Sequence, residues 1–365
     1  MGERECALEE VVNRNPDREF WKGRRVFLTG HTGFKGAWLA LWLNRLGAEV
    51  HGYALPPDTE PSLWDEIGSE LLVSETIADL EDQERLRAAI GAARPQVVVH
   101  MAAQALVRVG YAQPVRTMAT NAMGTAHLLD ALRGATNLQA ALIVTTDKVY
   151  ANDNSDRDFV ESDPLGGEDP YSASKAAAEI LTRSYARSFL EPAGVRVATA
   201  RAGNVIGGGD WARDRLIPDV WRAAQSGVAL KLRSPDSTRP WQNVLDPLSG
   251  YMRYVEALVR QDDLPRALNF GPQQGVSATV GQVADRMGAA LGLANAWERD
   301  TGEHPREMRA LSLDPGLARE SIGWNTRLTL DSALEWTADW YANFSAGRRP
   351  LDLCTEQIER FEALS

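Results

Sequence analysis

Residues 25–36 read RVFLTGHTGFKG. Arg25–Thr29 is a short apolar run of the kind that forms a buried strand. An apolar-periodic stretch then runs from Gly33 to Leu46, with Trp38, Leu39, Leu41, Trp42 and Leu43, and predicts a helix. A glycine-rich turn between a strand and a helix is a place where a chain can meet a pyrophosphate. Gly30 permits the tight turn, Gly33 lets the backbone approach the anion, and Gly36 permits close helix–sheet packing. Free N–H groups at the helix start, around Thr32 and Phe34, hold the charge. The spacing is GxxGxxG, one residue longer at its first gap than GxGxxG. An ordinary glycine turn is the alternative, and the flanking strand and helix favour a dinucleotide.

Such a loop is expected to have an acidic partner for the ribose about twenty residues on. The second strand, Glu49–Leu55, has its only carboxylate at its start, and residues 50–54 read VHGYA. Charge therefore does not choose between NAD and NADP. Lys35 and His31 are the remaining candidates for a phosphate contact, with a solvated helix face as the expected role of Lys35.

Further along, the pattern alternates. Leu72–Ile77 reads as a third strand, Asp82–Ala93 as a helix capped by Asp82, and Gln96–Met101 as a buried strand. A long helix is expected over Pro114–Leu132, a strand over Ala140–Thr145, a helix over Pro170–Phe189 and a strand over Val195–Ala200. Apolar strands alternating with helices imply an α/β fold, a Rossmann-type doubly wound parallel sheet. After Ala202 the regularity weakens, and a smaller C-terminal substrate-binding lobe is expected. The expected division is a loose leader over 1–20 and a dinucleotide-binding domain over 21–204, rejoined by 240–270. A substrate lobe follows over 205–239 and 271–350, with a tail over 351–365.

Composition narrows the class of partner. The 365 residues carry a net charge of −11, which argues against nucleic acid and against an anionic membrane surface. Cys6 and Cys354 are the two cysteines, and the five histidines are scattered. No disulfide framework, zinc site or other metal site is expected, and a reducing compartment is. Without an apolar leader or a membrane-length apolar run, the expected location is the cytoplasm.

Tyr171-Ser172-Ala173-Ser174-Lys175 places a phenol and an amine four apart at a helix start, on one face. An ammonium beside a phenol favours phenolate. That spacing alone is common, but here it follows the fifth strand of a dinucleotide fold. Thr146, Asp147 and Lys148 leave the end of that strand, where ligand sites of such sheets lie. A hydroxyl, an acid and a potential base stand there together. A polar strand-end turn is the plain alternative.

Together these residues carry a resemblance to the extended short-chain dehydrogenase/reductase family, and within it to the CDP-glucose 4,6-dehydratase branch. It covers the chain from about Phe20 nearly to the end. Besides TGHTGFKG it includes HMAAQALVR (100–108), TNAMGT (120–125), TTDKVY (145–150), DPYSASK (169–175), RAGNVIGGGDWARDRLIPD (201–219) and TRPWQNV (238–244). Lysine as third residue of the TDK triplet, where dTDP-glucose dehydratases carry glutamate, and GNVIGGGDW belong more narrowly to the CDP-glucose branch.

What the resemblance implies is a cycle on a nucleotide sugar with NAD as cofactor. Tyr171 takes the proton from the sugar 4-hydroxyl, Thr146 hydrogen-bonds it, and Lys175 holds the ribose. Asp147 serves as acid at the 6-hydroxyl, and Lys148 as base at C5 or as an electrostatic stabiliser. The resemblance puts Gly30, Gly33, Asp79, Leu80, Ala102, Ala103, Gln104 and Asn121 at the cofactor. Asn204, Arg215, Leu216 and Arg239 fall to the nucleotide sugar, and Arg306 more weakly. Asp79 also reads as a loop acid, Asn121 as a helix polar residue, each Arg as a surface ion-pair partner, and Trp211 and Trp241 as packing. A homodimer or homotetramer is expected, paired through the helices near 114–132 and 170–189. Two other readings are a nucleotide-sugar 4-epimerase of the same superfamily and a non-catalytic NAD-sensing protein. Neither has a use for Asp147 beside Lys148.

Overall fold

The computed structural model describes residues 14–152, 157–273, 278–293, 295–302 and 311–364. Seven parallel strands form its central sheet. They are β1 (Arg25–Thr29), β2 (Glu49–Ala54), β3 (Ser74–Ile77), β4 (Val97–His100), β5 (Ala140–Val144), β6 (Arg196–Ala202) and β7 (Ala267–Phe270), in the order β7-β6-β5-β4-β1-β2-β3. The expected doubly wound α/β sheet is present.

Side chains alternate between two cores because strand residues point to opposite faces. Val26, Leu28, Val97 and Val99 enter one core, and Phe27 and Val98 the other. Helices α1 (Phe34–Arg45), α2 (Gln83–Ala93), α3 (Gly124–Leu132) and α4 (Pro170–Tyr185) follow strands, as do α5 (Leu216–Ser226) and α6 (Leu245–Arg260) later on, and α7 (Pro350–Glu362) follows the helix Leu330–Ser345. The first core holds α1, α6 and α7, and the second holds α2 and α3. The connection leaving β1 and the one leaving β4 thus pass to opposite faces. That opens a crevice at the ends of these neighbouring strands, the switch point where doubly wound sheets bind ligands.

The long helix expected over 114–132 is interrupted. Pro114–Met118 is α-helical, Ala119–Met123 widens into a π turn, and α3 resumes at Gly124. The chain beyond β6 forms short two-stranded pairs, two of which draw their second strand, Ala278–Thr279 and Trp297–Arg299, from beyond β7.

Residues 14–20 differ from a loose leader. Asp17 caps the short helix Arg18–Trp21, and Trp21 is fully buried. The Trp21 indole and the Asp17 amide both donate to Glu256 Oε1, at 2.7 and 2.8 Å. At the other end α7 buries Leu353, Cys354, Ile358 and Phe361. The helix Arg18–Trp21 is too short to show a period, whereas the 13-residue α7 carries Leu353, Cys354, Ile358 and Phe361 at helical spacing where a tail is expected. Among the described residues no helix is long and apolar enough to cross a membrane.

Candidate active site

A cavity of about 1250 Å³ lies over the carboxyl ends of the central strands and continues under the loops before α5. Gly30, at φ +76°, turns the chain out of β1, and its amide donates to the Tyr53 carbonyl at 2.9 Å. A Cβ there would stand 2.6 Å from the Ala102 amide nitrogen, so only glycine lets the loop lie against the exit of β4. A Cβ on Gly36 would run into the Gly30 carbonyl. Gly33 is open by contrast, with nothing nearer than 3.5 Å, and it caps α1 with no side-chain acceptor. The first amides of α1 are therefore left to an anion. These are the requirements of a bound pyrophosphate, and the cradle fits a dinucleotide.

Thr32, Phe34, Asp79, Leu80, Ala102, Ala103 and Gln104 line this end of the cavity. Asn121 does not line it. The π turn points its buried amide at Gln104, whose N–H it accepts at 2.8 Å and whose carbonyl it reaches at 2.9 Å, and at Ser174 Oγ. It ties the loop after β4 to α4 instead.

Three neighbouring groups depart from expectation. His31 is buried with Nε2 2.9 Å from Glu75 Oε1 and its ring edge-on to Trp64, away from the cavity. Lys35 lines the cavity rather than a solvated face, and its Nζ donates to Tyr251 Oη on α6 at 3.0 Å. Burial, helped by Arg215 and Lys175, pushes the Lys35 ammonium down to about 7. The tip of β2 has no acid, and Asp58 lines the cavity from the proline-rich loop beyond it.

Thr146, Lys148, Tyr171 and Lys175 also line the cavity. Thr146 caps a 3-10 turn, Asp147–Val149, that turns Asp147 inward until it is fully buried. Asp147 Oδ1 accepts from Thr146 Oγ1 at 2.8 Å and from Lys148 Nζ at 3.0 Å. Its Oδ2 is buried with no hydrogen-bond partner among the described residues. The acid, the hydroxyl and the amine thus form one bonded set.

Asp169 caps α4 by accepting from the Tyr171 and Ser172 amides, and this sets Tyr171 on the first turn. Burial pushes the Tyr171 phenol up to about 12, opposed by its hydrogen bond to Thr146 and by Arg215. Lys175 is pushed down to about 8 by burial, against the pull of Glu179. Its Nζ donates to the Val144 carbonyl at 3.2 Å. Lys175, expected to acidify the phenol, is not among the groups that chiefly lower it here. Desolvation of two buried groups outweighs their proximity.

The chain from 27 to 337 matches the model of the GDP-mannose 4,6 dehydratase family. The chain belongs to this family. A CDP-glucose 4,6-dehydratase of Salmonella typhimurium is 43% identical over 347 residues, 93% of this chain and 96% of that one. Among solved structures, a dTDP-glucose 4,6-dehydratase from Bacillus anthracis in complex with NAD superposes with a TM-score of 0.74 at 22% identity. It covers 90% of this chain and 100% of its own. A double mutant of the Streptomyces venezuelae dTDP-glucose 4,6-dehydratase gives 0.77 at 23%, with the same coverage. These two show the fold.

In this family member the far half of the cavity is cationic. Asn204, Arg215, Leu216 and Arg239 all line it. Arg215 Nη1 lies 3.1 Å from Asp210 Oδ2, which raises the guanidinium's pKa and keeps it charged. Arg239 is buried, and its Nη1 donates to the Thr238 carbonyl at 2.8 Å. Trp211 lines the cavity but packs in a cluster with Trp221, Trp340, Tyr341 and Phe344. Trp241 is buried with its indole on the Ala278 carbonyl. Arg306 lies outside the described residues. Among the described residues no group of His, Cys, Asp and Glu is arranged to hold a metal ion.

Proposed function

We propose that this protein is an NAD-dependent 4,6-dehydratase of CDP-D-glucose, giving CDP-4-keto-6-deoxy-D-glucose for deoxysugar biosynthesis. One observation carries the reaction type: Asp147, fully buried and itself off the cavity lining, is hydrogen-bonded to Thr146 and Lys148, which line the cavity together with Tyr171 and Lys175. The 43% identity to the Salmonella typhimurium enzyme supports the nucleotide.

Held by Gly30, Gly33 and Lys175, NAD would supply the hydride acceptor for C4 and the hydride donor for C6. Tyr171 accepts the proton of the 4-hydroxyl, with Thr146 holding that oxygen and Lys175 the cofactor ribose. The 4-ketone acidifies the proton at C5. Lys148 removes it, and Asp147 gives a proton to the departing 6-hydroxyl. The two are in contact at 3.0 Å as an ion pair. Transfer of one proton from the Lys148 ammonium to the Asp147 carboxylate makes the amine a base and the carboxyl an acid at once. Elimination needs both. Arg215 and Arg239 bind the diphosphate, Asn204 the sugar, and Gly30, Gly33, Thr32, Phe34 and Gly36 the cofactor pyrophosphate. A 4-epimerase needs no acid at the 6-hydroxyl, and a sensor needs none of the set.

The apolar side chains Val115, Met123, Ile180 and Phe189 stand exposed on the helices around α3 and α4, with Val115 81% and Ile180 59% accessible. We assign this face to pairing with a second copy of the chain. A buried Cys354 thiol suits the cytoplasm.

The test of the reaction is a panel of CDP-, dTDP-, UDP- and GDP-glucose, with product read by mass spectrometry. The CDP sugar should lose one water and the others react poorly. Turnover of another nucleotide sugar in preference would reassign the base. Conversion to an isomer without loss of water would reassign the reaction.

A further inference from the structure

Behind the cavity lies a charged pair that the chemistry above does not use. Glu179 sits on α4 one helical turn beyond Lys175, and Arg201 is near the end of β6. Both side chains are 4% accessible. The Glu179 carboxylate accepts four hydrogen bonds. Thr145 Oγ1 at 2.6 Å and Arg201 Nε at 2.9 Å reach Oε1, and Thr199 Oγ1 at 2.8 Å and Arg201 Nη2 at 2.9 Å reach Oε2. The remaining Arg201 nitrogen, Nη1, donates to Tyr150 Oη at 2.9 Å, and Tyr150 donates to Asn269 Oδ1 on β7 at 2.7 Å.

The partners are two particular residues. Thr145 and Tyr150 bracket Thr146, Asp147 and Lys148, one at each end of the turn. The carboxylate that holds them is on the helix that carries Tyr171 and Lys175. One ion pair thus joins the group that acts at C4 to the groups that act at C5 and C6. A buried ion pair contributes little net stability, because desolvation offsets the attraction. Placement of the groups around it is the better explanation for a pair bonded this fully.

We propose that Glu179 and Arg201 are positioning residues that set the Thr146-Asp147-Lys148 turn against the sugar held by Tyr171. The inference rests on the dehydratase reading. The helix α4 has its own cap and core contacts, whereas both ends of the turn meet the pair directly, through the hydroxyls of Thr145 and Tyr150. Loss of the pair therefore displaces the turn more than the phenol. Elimination suffers and oxidation at C4 survives.

The experiment uses the full chain with CDP-glucose, quenched at intervals and treated with borodeuteride. Mass spectrometry then separates trapped 4-ketoglucose from 4-keto-6-deoxyglucose. Circular dichroism and melting temperature report folding. Glu179→Gln puts an amide donor against Arg201 and leaves that charge half-paired. It should lower kcat by about 100-fold, as expected for a misplacement near 1 Å, with KM within threefold and trapped 4-ketoglucose accumulating. Tyr150→Phe keeps the ring stacked on Phe159 and removes only the hydroxyl link. It should show the same accumulation with a loss of about tenfold. If Glu179→Gln does not fold, Tyr150→Phe decides. Folded variants that keep kcat within twofold, or that lose oxidation and elimination equally, overturn the positioning role. Wild-type protein that makes neither ketone from CDP-glucose overturns the dehydratase reading first, and this inference with it.

Discussion

In the proposed reaction Asp147 is the acid at the 6-hydroxyl. Its carboxylate is buried and bonded to a hydroxyl and an ammonium through one oxygen, and the other oxygen has no hydrogen-bond partner among the described residues. Asp147→Asn keeps the shape and removes the proton. Oxidation at C4 should continue, and elimination should slow by about 10²- to 10⁴-fold, the usual weight of a general acid. Rapid-quench trapping of 4-ketoglucose measures both steps, and equal slowing of both would remove Asp147 from the acid role. The candidates at 146–148 were legible in the sequence because they follow a strand end directly. The inward turn of Asp147 was not, since it depends on a 3-10 turn only three residues long. Lys35 was misread for a different reason. Its helix periodicity points it outward, but Tyr251, 216 residues away in the chain, comes to lie over it. Asp58 escaped as a cavity residue because it stands in an irregular loop beyond β2.

At the scale of elements, the sheet strands and their order follow from apolar runs that need burial on both faces. The segments that the sequence hid are short or irregular, such as the π turn that aims Asn121 and the helix Arg18–Trp21. That helix is held by Glu256, whose carboxyl burial pushes up to about 7 against the opposing bonds from Asp17 and Trp21. A carboxyl raised above its ordinary value binds its proton on folding. Its contribution is full below about pH 4.5 and is lost as pH rises through 7. Glu256→Gln keeps the acceptor and cannot ionise. Relative to wild type, its stability in urea should rise by about 2 kcal/mol between pH 5 and pH 8. Parallel pH curves would show that Glu256 is not the titrating group. The exposed face of α4 carries another expectation. Ile180→Glu should give a monomer by light scattering where wild type gives a dimer, with the melting curve still cooperative. A dimer that survives would place the interface elsewhere.

Over the whole molecule, three separate stretches meet at one cavity. The glycine turn after β1 provides the anion cradle, the end of β5 and the start of α4 provide the acid–base groups, and the loops around 204–239 provide cationic side chains. The sheet brings the first two together at its switch point. The chain after β6 closes the third over them. The sequence outlined that third part only faintly, because loops and two-residue strands carry no period to read. Such an arrangement suits a reaction in which the cofactor is used and restored within one turnover. CDP-glucose labelled with deuterium at C4 tests this most directly. Dehydration requires that the product lose one water and carry the deuterium at C6, at a yield that does not fall when unlabelled NADH is added to the solution. Deuterium remaining at C4 with no loss of water, or its dilution by the added NADH, would contradict a single enclosed cycle of oxidation, elimination and return.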